Sequence, residues 1–595
     1  MHTLNSYLIP APLSTLLTII LGLSVAIVAD FAGKKIVKDH TPVFQAMYFF
    51  AGLLVLSWTT WIICLLSLAT IFVFQGLIWT IMLAAAFLLI TKRSALDVSL
   101  NLRSAPYPKP AFSYLRYILI FIFFCYLLLS LSVPTDADSL SYHLALPVEI
   151  LKNHSIYYNP DNIHFRMGGF GEMLNLIGVA NGCPQFGAFI QIIGLGFFLN
   201  ASVSCIDSGQ KSDLITIFLG IPVLLFLIPN QKHQLTGILC TSLCFLYLCS
   251  TNNFTSGKLT LFLSVLFFAA GIKYSFLLSF ASLVLLLILK NPVGVNPFGM
   301  LVKLFFLGAV ILGPQLVFKW FYLGDPLSPL LELFMPNADP IVVKLYQYIK
   351  AYSDSSYPFP ISLVYTNSIG KLSTLVGISA ITLGLLPFLF RYYKFEVISI
   401  SALIFLILIG GQVSSRFLLE PVLWSVPLAI STFYKSKIYK YFILAARLQL
   451  FCILPLLLIG IYNLAPSIFS DSGREKVMLK ASNGYAENKW IDEVLPPDAR
   501  ICMTSRSRAF IARNYFPWEY LYFTSMENKK EAEELDRKLK IQYKTEYLIL
   551  PSTGFDALRN KYAGEIIAGP KKFHLATRNP FNSSDYEMVI YRMKK

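Results

Sequence analysis

The hydrophobic positions of this chain fall into long unbroken runs, not into the short periods of a soluble domain. Leu13 to Ala29 is the first run, and Val43 to Thr91 carries no charged residue for 49 positions. A membrane-crossing helix needs about 20 apolar residues, so that stretch has room for two. Tyr117 to Val133 follows. Further runs centre near Ile193, Pro222, Leu243, Leu263, Leu283, Ala309, Ala380, Ile404, Pro427 and Leu454. Read as spans, the runs number about 14. Leu259 to Leu289 is too long for one helix and is interrupted by Gly271-Ile272-Lys273, which predicts two short helices with Lys273 at the turn. Beyond about Ala465 the pattern changes. Glu487 to Leu495 and Glu527 to Leu539 predict helices, and Arg500 to Met503, Glu546 to Leu550 and Tyr586 to Arg592 predict strands.

The expected fold is therefore a polytopic α-helical membrane protein with a small C-terminal α/β domain. Three spans and a loop fill residues 1–114, the main membrane domain fills 115–464, and a soluble domain fills 465–595. Charge follows the same division. Only 14% of the 595 residues are charged, against roughly 25% in a soluble protein. The last 131 residues hold 39 charged side chains and the preceding 464 hold 43. The start of the chain has no basic region and no small-residue cleavage site, so the first run predicts a retained span.

The net charge of +16 does not point to nucleic acid. No basic helix carries interleaved aromatics, and positive-inside loops account for most of the excess. Lys34, Lys35 and Lys38 share one face with Lys92, Arg93, Arg103, Lys109 and Arg116, then with Arg391 and Lys394, and with Lys435, Lys437 and Lys440. The opposite loops hold Asp136, Asp138, Glu149, Asp161, Glu172, Asp325, Glu332, Asp339, Asp354 and Glu420. The acids, the long loops and the C-terminal domain thus fall outside, and an even span count puts both termini there. Among nine cysteines no CxxC pair occurs, so neither a zinc site nor a disulfide framework is indicated.

Candidate chemistry concentrates in Pro134-Thr135-Asp136-Ala137-Asp138-Ser139-Leu140-Ser141-Tyr142-His143-Leu144. Two carboxylates stand where a span emerges, and ionisable groups at membrane depth are expensive enough to suggest function. Asp138 and Tyr142, four apart, share a helix face. Asp136 and Asp138 are close enough to hold a divalent metal or to raise one another's pKa. A capping box with Thr135 as N-cap and Asp138 at its third helical position explains the same spacing structurally.

Residues 134 to 147 resemble the first-external-loop motif of bacterial GT-C glycosyltransferases, relatives of the protein O-mannosyltransferases and the lipid A aminoarabinose transferase. Phe170 to Leu174, Ala270 to Tyr274, Tyr322 to Pro329 (with Asp325 where Asn is usual) and Ser415 to Pro421 resemble later segments of that family. The resemblance covers about residues 115 to 435. It implies an inverting glycosyltransferase of the bacterial inner membrane, working on the cell-envelope side. Its donor would be a polyprenyl-phosphate sugar and its acceptor a lipid, glycan or protein. Asp138 would be the catalytic base with Asp136 beside it. Lipid phosphate leaves in such a reaction, so Arg416 and Lys273 are its expected clamps, with snorkelling to the interface as the plain alternative. Tyr142, His143, Arg166, Glu172 and Asp325 are expected to line the pocket. Glu172 is expected to pair with Arg166 or to be solvated, His164 to be a loop residue and Lys319 to snorkel. Gln231-Lys232-His233-Gln234 departs from the family, where an Asp is frequent, and this weakens a second-acid or metal role there. Two other classes fit a polytopic protein. A transporter or flippase of lipid-linked sugars calls for charges deep in several helices and repeated halves. A polysaccharide polymerase or ligase calls for a diphosphate donor.

Overall fold

The computed structural model describes residues 3–91, 113–156, 159, 161–251, 253–331, 334, 339–351, 357–389, 393–411, 413–576 and 583–594. Lys92, Arg93, Arg103, Lys109, Glu332, Asp354 and Arg391, used above for sidedness, lie outside the described residues.

The apolar runs become helices. α1 (Ala11–Val37), α2 (Pro42–Leu65), α3 (Ile71–Thr91) and α4 (Ser113–Leu131) follow one another. Proline in the first turns of α1 and α2 starts each helix where its missing N–H costs nothing. On α3 Phe74, Ile78, Ala85 and Leu88 are buried in one stripe, Ile71, Leu77, Ile81 and Met82 pack partly against the core beside it, and Phe72, Trp79, Leu83, Phe87 and Ile90 are exposed. After α4 come α5 (Ala145–Asn153), α6 (Phe170–Ala180) and α7 (Phe186–Ser204). All of α6 is buried, so it is a core element and not a solvated loop.

α8 (Gln234–Ser250), α9 (Ser256–Ile272) and α10 (Leu277–Lys290) continue the bundle. The break between α9 and α10 falls at Lys273, as the interrupted apolar run predicts. α11 (Pro297–Ile311) and α12 (Gly313–Leu323) meet at 55°. α13 (Ile378–Leu385), α14 (Lys394–Ile409), α15 (Ser415–Phe433) and α16 (Tyr439–Leu464) complete the apolar part.

Among the described residues, seven helices are long and apolar enough to cross a bilayer, or eight if the bent α11–α12 pair is one span. The expected 14 is not confirmed. The run near Pro222 breaks at Gly220 into Lys211–Leu219 and Leu224–Leu227, because proline cannot continue a helix. Glu420, expected in a loop, sits buried inside α15.

The tail carries α17 (Tyr485–Val494), β1 (Ile501–Met503), β2 (Tyr515–Phe516), α18 (Trp518–Phe523), α19 (Lys529–Arg537), β3 (Tyr547–Pro551), β4 (Ala563–Ala576) and β5 (Ser583–Met593). The strands form one sheet in the order β2-β1-β3-β5-β4. β1 runs parallel to β2 and β3, and β5 runs antiparallel to β3 and β4, with Ile549 opposite Ile590. Alternate residues point to opposite faces. Ile501, Met503 and Ile549 pack with Trp490 and Ile491 of α17. Cys502, Leu548 and Leu550 pack on the other face with Leu521 and Leu535, and with Ile163 and Ile341 from loops of the membrane part. That second cluster fastens the tail to those loops and brings it to the Asp138 segment.

Candidate active site

The chain leaves α4 at Leu131 and runs to Asp136, which caps the next turn. Asp136 Oδ1 accepts from Ser139 N at 2.9 Å, and its carbonyl accepts from Leu140 N at 3.2 Å. The cap is thus Asp136, not Thr135, whose carbonyl instead accepts from Asn483 N of the tail at 3.0 Å. Asp138 is therefore free of the capping role. Ser139 to His143 then wind as one π-helical turn, closed by Leu144 N on Ser139 O at 2.9 Å. Such turns are frequent at functional sites.

The segment after Leu227 is tied to this turn. Asn230 Nδ2 donates to Asp136 Oδ1 at 3.1 Å, Ser139 Oγ donates to Asn230 Oδ1 at 3.2 Å, and Gln231 N donates to Ser139 Oγ at 2.9 Å. These bonds present Lys232, whose Nζ lies 3.3 Å from Asp138 Oδ2. From the tail, Arg506 Nη2 donates to Asp138 Oδ1 at 2.9 Å. One ammonium and one guanidinium thus grip the two oxygens of one carboxylate, and because Arg506 touches Asp138, the loop and the tail lie on one side of the helices. Burial alone would raise the Asp138 carboxyl. The charges of Lys232, Arg506 and Arg416 outweigh it and hold the group well below the usual carboxylate range. For Asp138 the raising expected from its acidic neighbour is therefore reversed, because three cations surround it.

Arg416 and one further cation, Lys273, stand close by. Lys273 Nζ donates to Gln234 Oε1 at 3.3 Å, and Gln234 Nε2 donates to Arg416 O at 3.4 Å. The Arg416 guanidinium lies 5.4 Å from the Phe417 ring centroid, and its Nε is buried with no hydrogen-bond partner among the described residues. Lys232 is held low by burial first and then by Arg416, against the pull of Asp138.

The other expected pocket residues have diverse roles. Tyr142 is buried, its ring centroid 3.9 Å from that of His143 and 5.3 Å from that of His164. His143 Nδ1 pairs with Glu172 Oε1 at 2.6 Å, while Glu172 Oε2 accepts from Gly169 N at 2.6 Å. Glu172 thus pairs with His143 and not with Arg166. Arg166 lies 4.0 Å from Asp339, and its carbonyl accepts from the buried Lys319 at 2.7 Å, so Lys319 is a core donor and does not snorkel. Asp325 is fully buried, and its oxygens take Leu327 N at 2.7 Å and Leu331 N at 3.0 Å, a turn-building role. His164 is no bare loop residue: its Nδ1 meets Glu519 Oε1 at 2.6 Å, and its ring stacks on Trp518 at 5.6 Å. Arg508 closes on the other oxygen of Glu519.

Reading the sequence alone missed Lys232 as a neighbour of Asp138, and Arg506, Arg508 and Glu519 altogether. The departure of Lys232 from the family pattern was a signal for the first. The Arg506-Ser507-Arg508 triplet after β1 was the only local signal for the tail residues. A metal does not fit these donors. Both Asp138 oxygens are engaged by cations, one Asp136 oxygen caps a turn, and no group of three His, Cys, Asp or Glu forms a ligand set among the described residues.

No curated protein matches the chain. Among solved structures, it is similar to the archaeal oligosaccharyltransferase AglB from Archaeoglobus fulgidus, solved with an inhibitory peptide and a dolichol-phosphate. The identity is 12%, the TM-score is 0.41, and the match covers 76% of this chain and 73% of that one. The model of the DUF1420 N-terminal domain matches residues 110–478, a window that contains Asp138, Lys232, Lys273 and Arg416 and stops short of Arg506. With more than half of its length inside that match, the chain belongs to the DUF1420 family.

Proposed function

We propose that the protein is an integral membrane glycosyltransferase. It moves a sugar from a polyprenyl-phosphate donor to an acceptor on the outer face of a bacterial inner membrane, with inversion. In this reading residues 115–464 form the catalytic membrane domain, and both termini and the tail lie outside. One observation carries it: more cations than acids converge on Asp138. Lys232, Arg506 and Arg416 act on it directly, and Lys273 stands behind them. Asp136 and Glu172 already have partners. Arg416 is half-buried, and its buried Nε has no hydrogen-bond partner among the described residues, which leaves an N–H donor of a guanidinium open to an anion. A phosphate that gains charge as it leaves is such an anion, and a planar guanidinium suits its oxygens.

The acceptor oxygen attacks the anomeric carbon. A carbon–oxygen bond forms to the acceptor, the bond from that carbon to the phosphate oxygen breaks, and the lipid phosphate leaves with the bonding electrons. The acceptor's proton passes to Asp138. A carboxylate held this firmly ionised is a weak base, so it orients the acceptor first and takes the proton late, once attack has made that proton acidic.

Two measurements test the reading. Full-length protein in nanodiscs should bind decaprenyl phosphate at least tenfold more tightly than uncharged decaprenol, and Arg416→Ala should remove the difference. In cells lacking the gene, mass analysis of envelope glycans should show a missing sugar that the wild type restores. Asp138→Asn should fail to restore it while inserting normally. Full restoration by Asp138→Asn removes that residue from the chemistry.

A further inference from the structure

Arg506 stands apart from the other cations of the site. Lys232, Lys273 and Arg416 come from the membrane part and repel one another. Arg506 comes from the tail, 368 residues beyond Asp138. Its side chain is 37% exposed against 6% for Lys232, so it is the more open of the two cations that touch Asp138. The segment that carries it is fixed on both sides. Ser507 Oγ donates to Asn483 Oδ1 at 2.6 Å, Asn483 and Ser482 bond the carbonyls of Thr135 and Pro134, and Arg508 is buried against Glu519. The guanidinium lies 5.2 Å from the Trp518 ring centroid and gives one N–H to Asp138, and its Nε is buried without a partner among the described residues. Arginine has five N–H donors in a rigid fork, so this one has donors to spare. Lys232 already neutralises Asp138. A second cation on that carboxylate overcompensates it, unless another anion comes to share the charge.

We propose that Arg506 is a ligand of the donor phosphate, contributed by the tail and acting together with Arg416. This rests on the reading of the site as a lipid-phosphate sugar transferase. The tail is then a working part of the site, and the braced 504–508 segment holds the fork in place before the donor arrives, which lowers the ordering cost of binding.

The test uses full-length protein in nanodiscs with two probes, decaprenyl phosphate and decaprenol, titrated by tryptophan fluorescence. Arg506→Ala should raise the Kd for decaprenyl phosphate at least tenfold and leave that for decaprenol unchanged, with an unaltered unfolding midpoint. Arg506→Lys should lose less, because it keeps the charge and loses the fork. Equal loss for both probes makes Arg506 a structural residue and overturns the proposal. So does wild-type phosphate binding in Arg506→Ala when Arg416→Ala has lost it. A wild-type protein that does not distinguish the two probes overturns the transferase reading itself, and this proposal with it.

Discussion

Replacing Glu487 by glutamine is expected to stabilise the tail, and only above acid pH. Glu487 lies in the first turn of α17, 3% exposed, beside Ser505 and Tyr586, with Oε1 unpartnered among the described residues. Burial pushes its carboxyl from the ordinary 4.5 up to about 8. Between those values the folded tail holds a proton that the unfolded tail has released. Stability therefore falls as pH rises, by about 1.4 kcal/mol per pH unit. From pH 4.5 to pH 7 the loss accumulates to roughly 3 kcal/mol. Glutamine keeps the shape and stays neutral, so Glu487→Gln should regain roughly that amount at pH 7 and nothing at pH 4.5. Hydrogen exchange of the β3 and β5 amides in the full-length protein, corrected for intrinsic exchange, reads the opening free energy across this range. The wild type should slope downward with pH while Glu487→Gln stays level. Parallel slopes for the two proteins refute the reasoning.

Arg508→Gln should lower the stability of the tail by about 3–5 kcal/mol, because it leaves the fully buried Glu519 without its guanidinium. A thermal-unfolding midpoint within a degree of the wild type contradicts that. Gly169→Ala should cost about 1–3 kcal/mol, because its Cβ would stand 2.3 Å from the carbonyl oxygen of Gly271 and push the turn that carries Lys273. Decaprenyl phosphate binding should weaken with it, and unchanged affinity would detach Lys273 from the phosphate site.

The parts of the fold that were legible in the sequence are those governed by local pattern. Long apolar runs gave α1 to α4, and the charge at Lys273 marked the break between α9 and α10, because a lysine needs a polar outlet that a helix interior in lipid does not offer. In the tail, β1, β3 and β5 fall where alternation predicts them. β4 was illegible because Gly564, Gly569 and Pro570 read as breakers. It lies at the sheet edge, paired only with β5 and interrupted by register shifts, where proline costs no ladder bond. The D-x-D segment was legible as a candidate site, but its electrostatics were not. Asp138 takes its character from Lys232 and Arg506, contacts made 94 and 368 residues away, and no period in the chain encodes such a distance.

The ion pair between Asp138 and Arg506 also orders events in the life of the molecule. A growing chain delivers Asp138 early, with Lys232 following, but residue 506 leaves the ribosome only after every long apolar helix has been made. Until the tail is synthesised and packed against the loop, the carboxylate lacks one of the two cations that touch it directly. The centre around Asp138 is therefore complete only once the tail has packed against the loop.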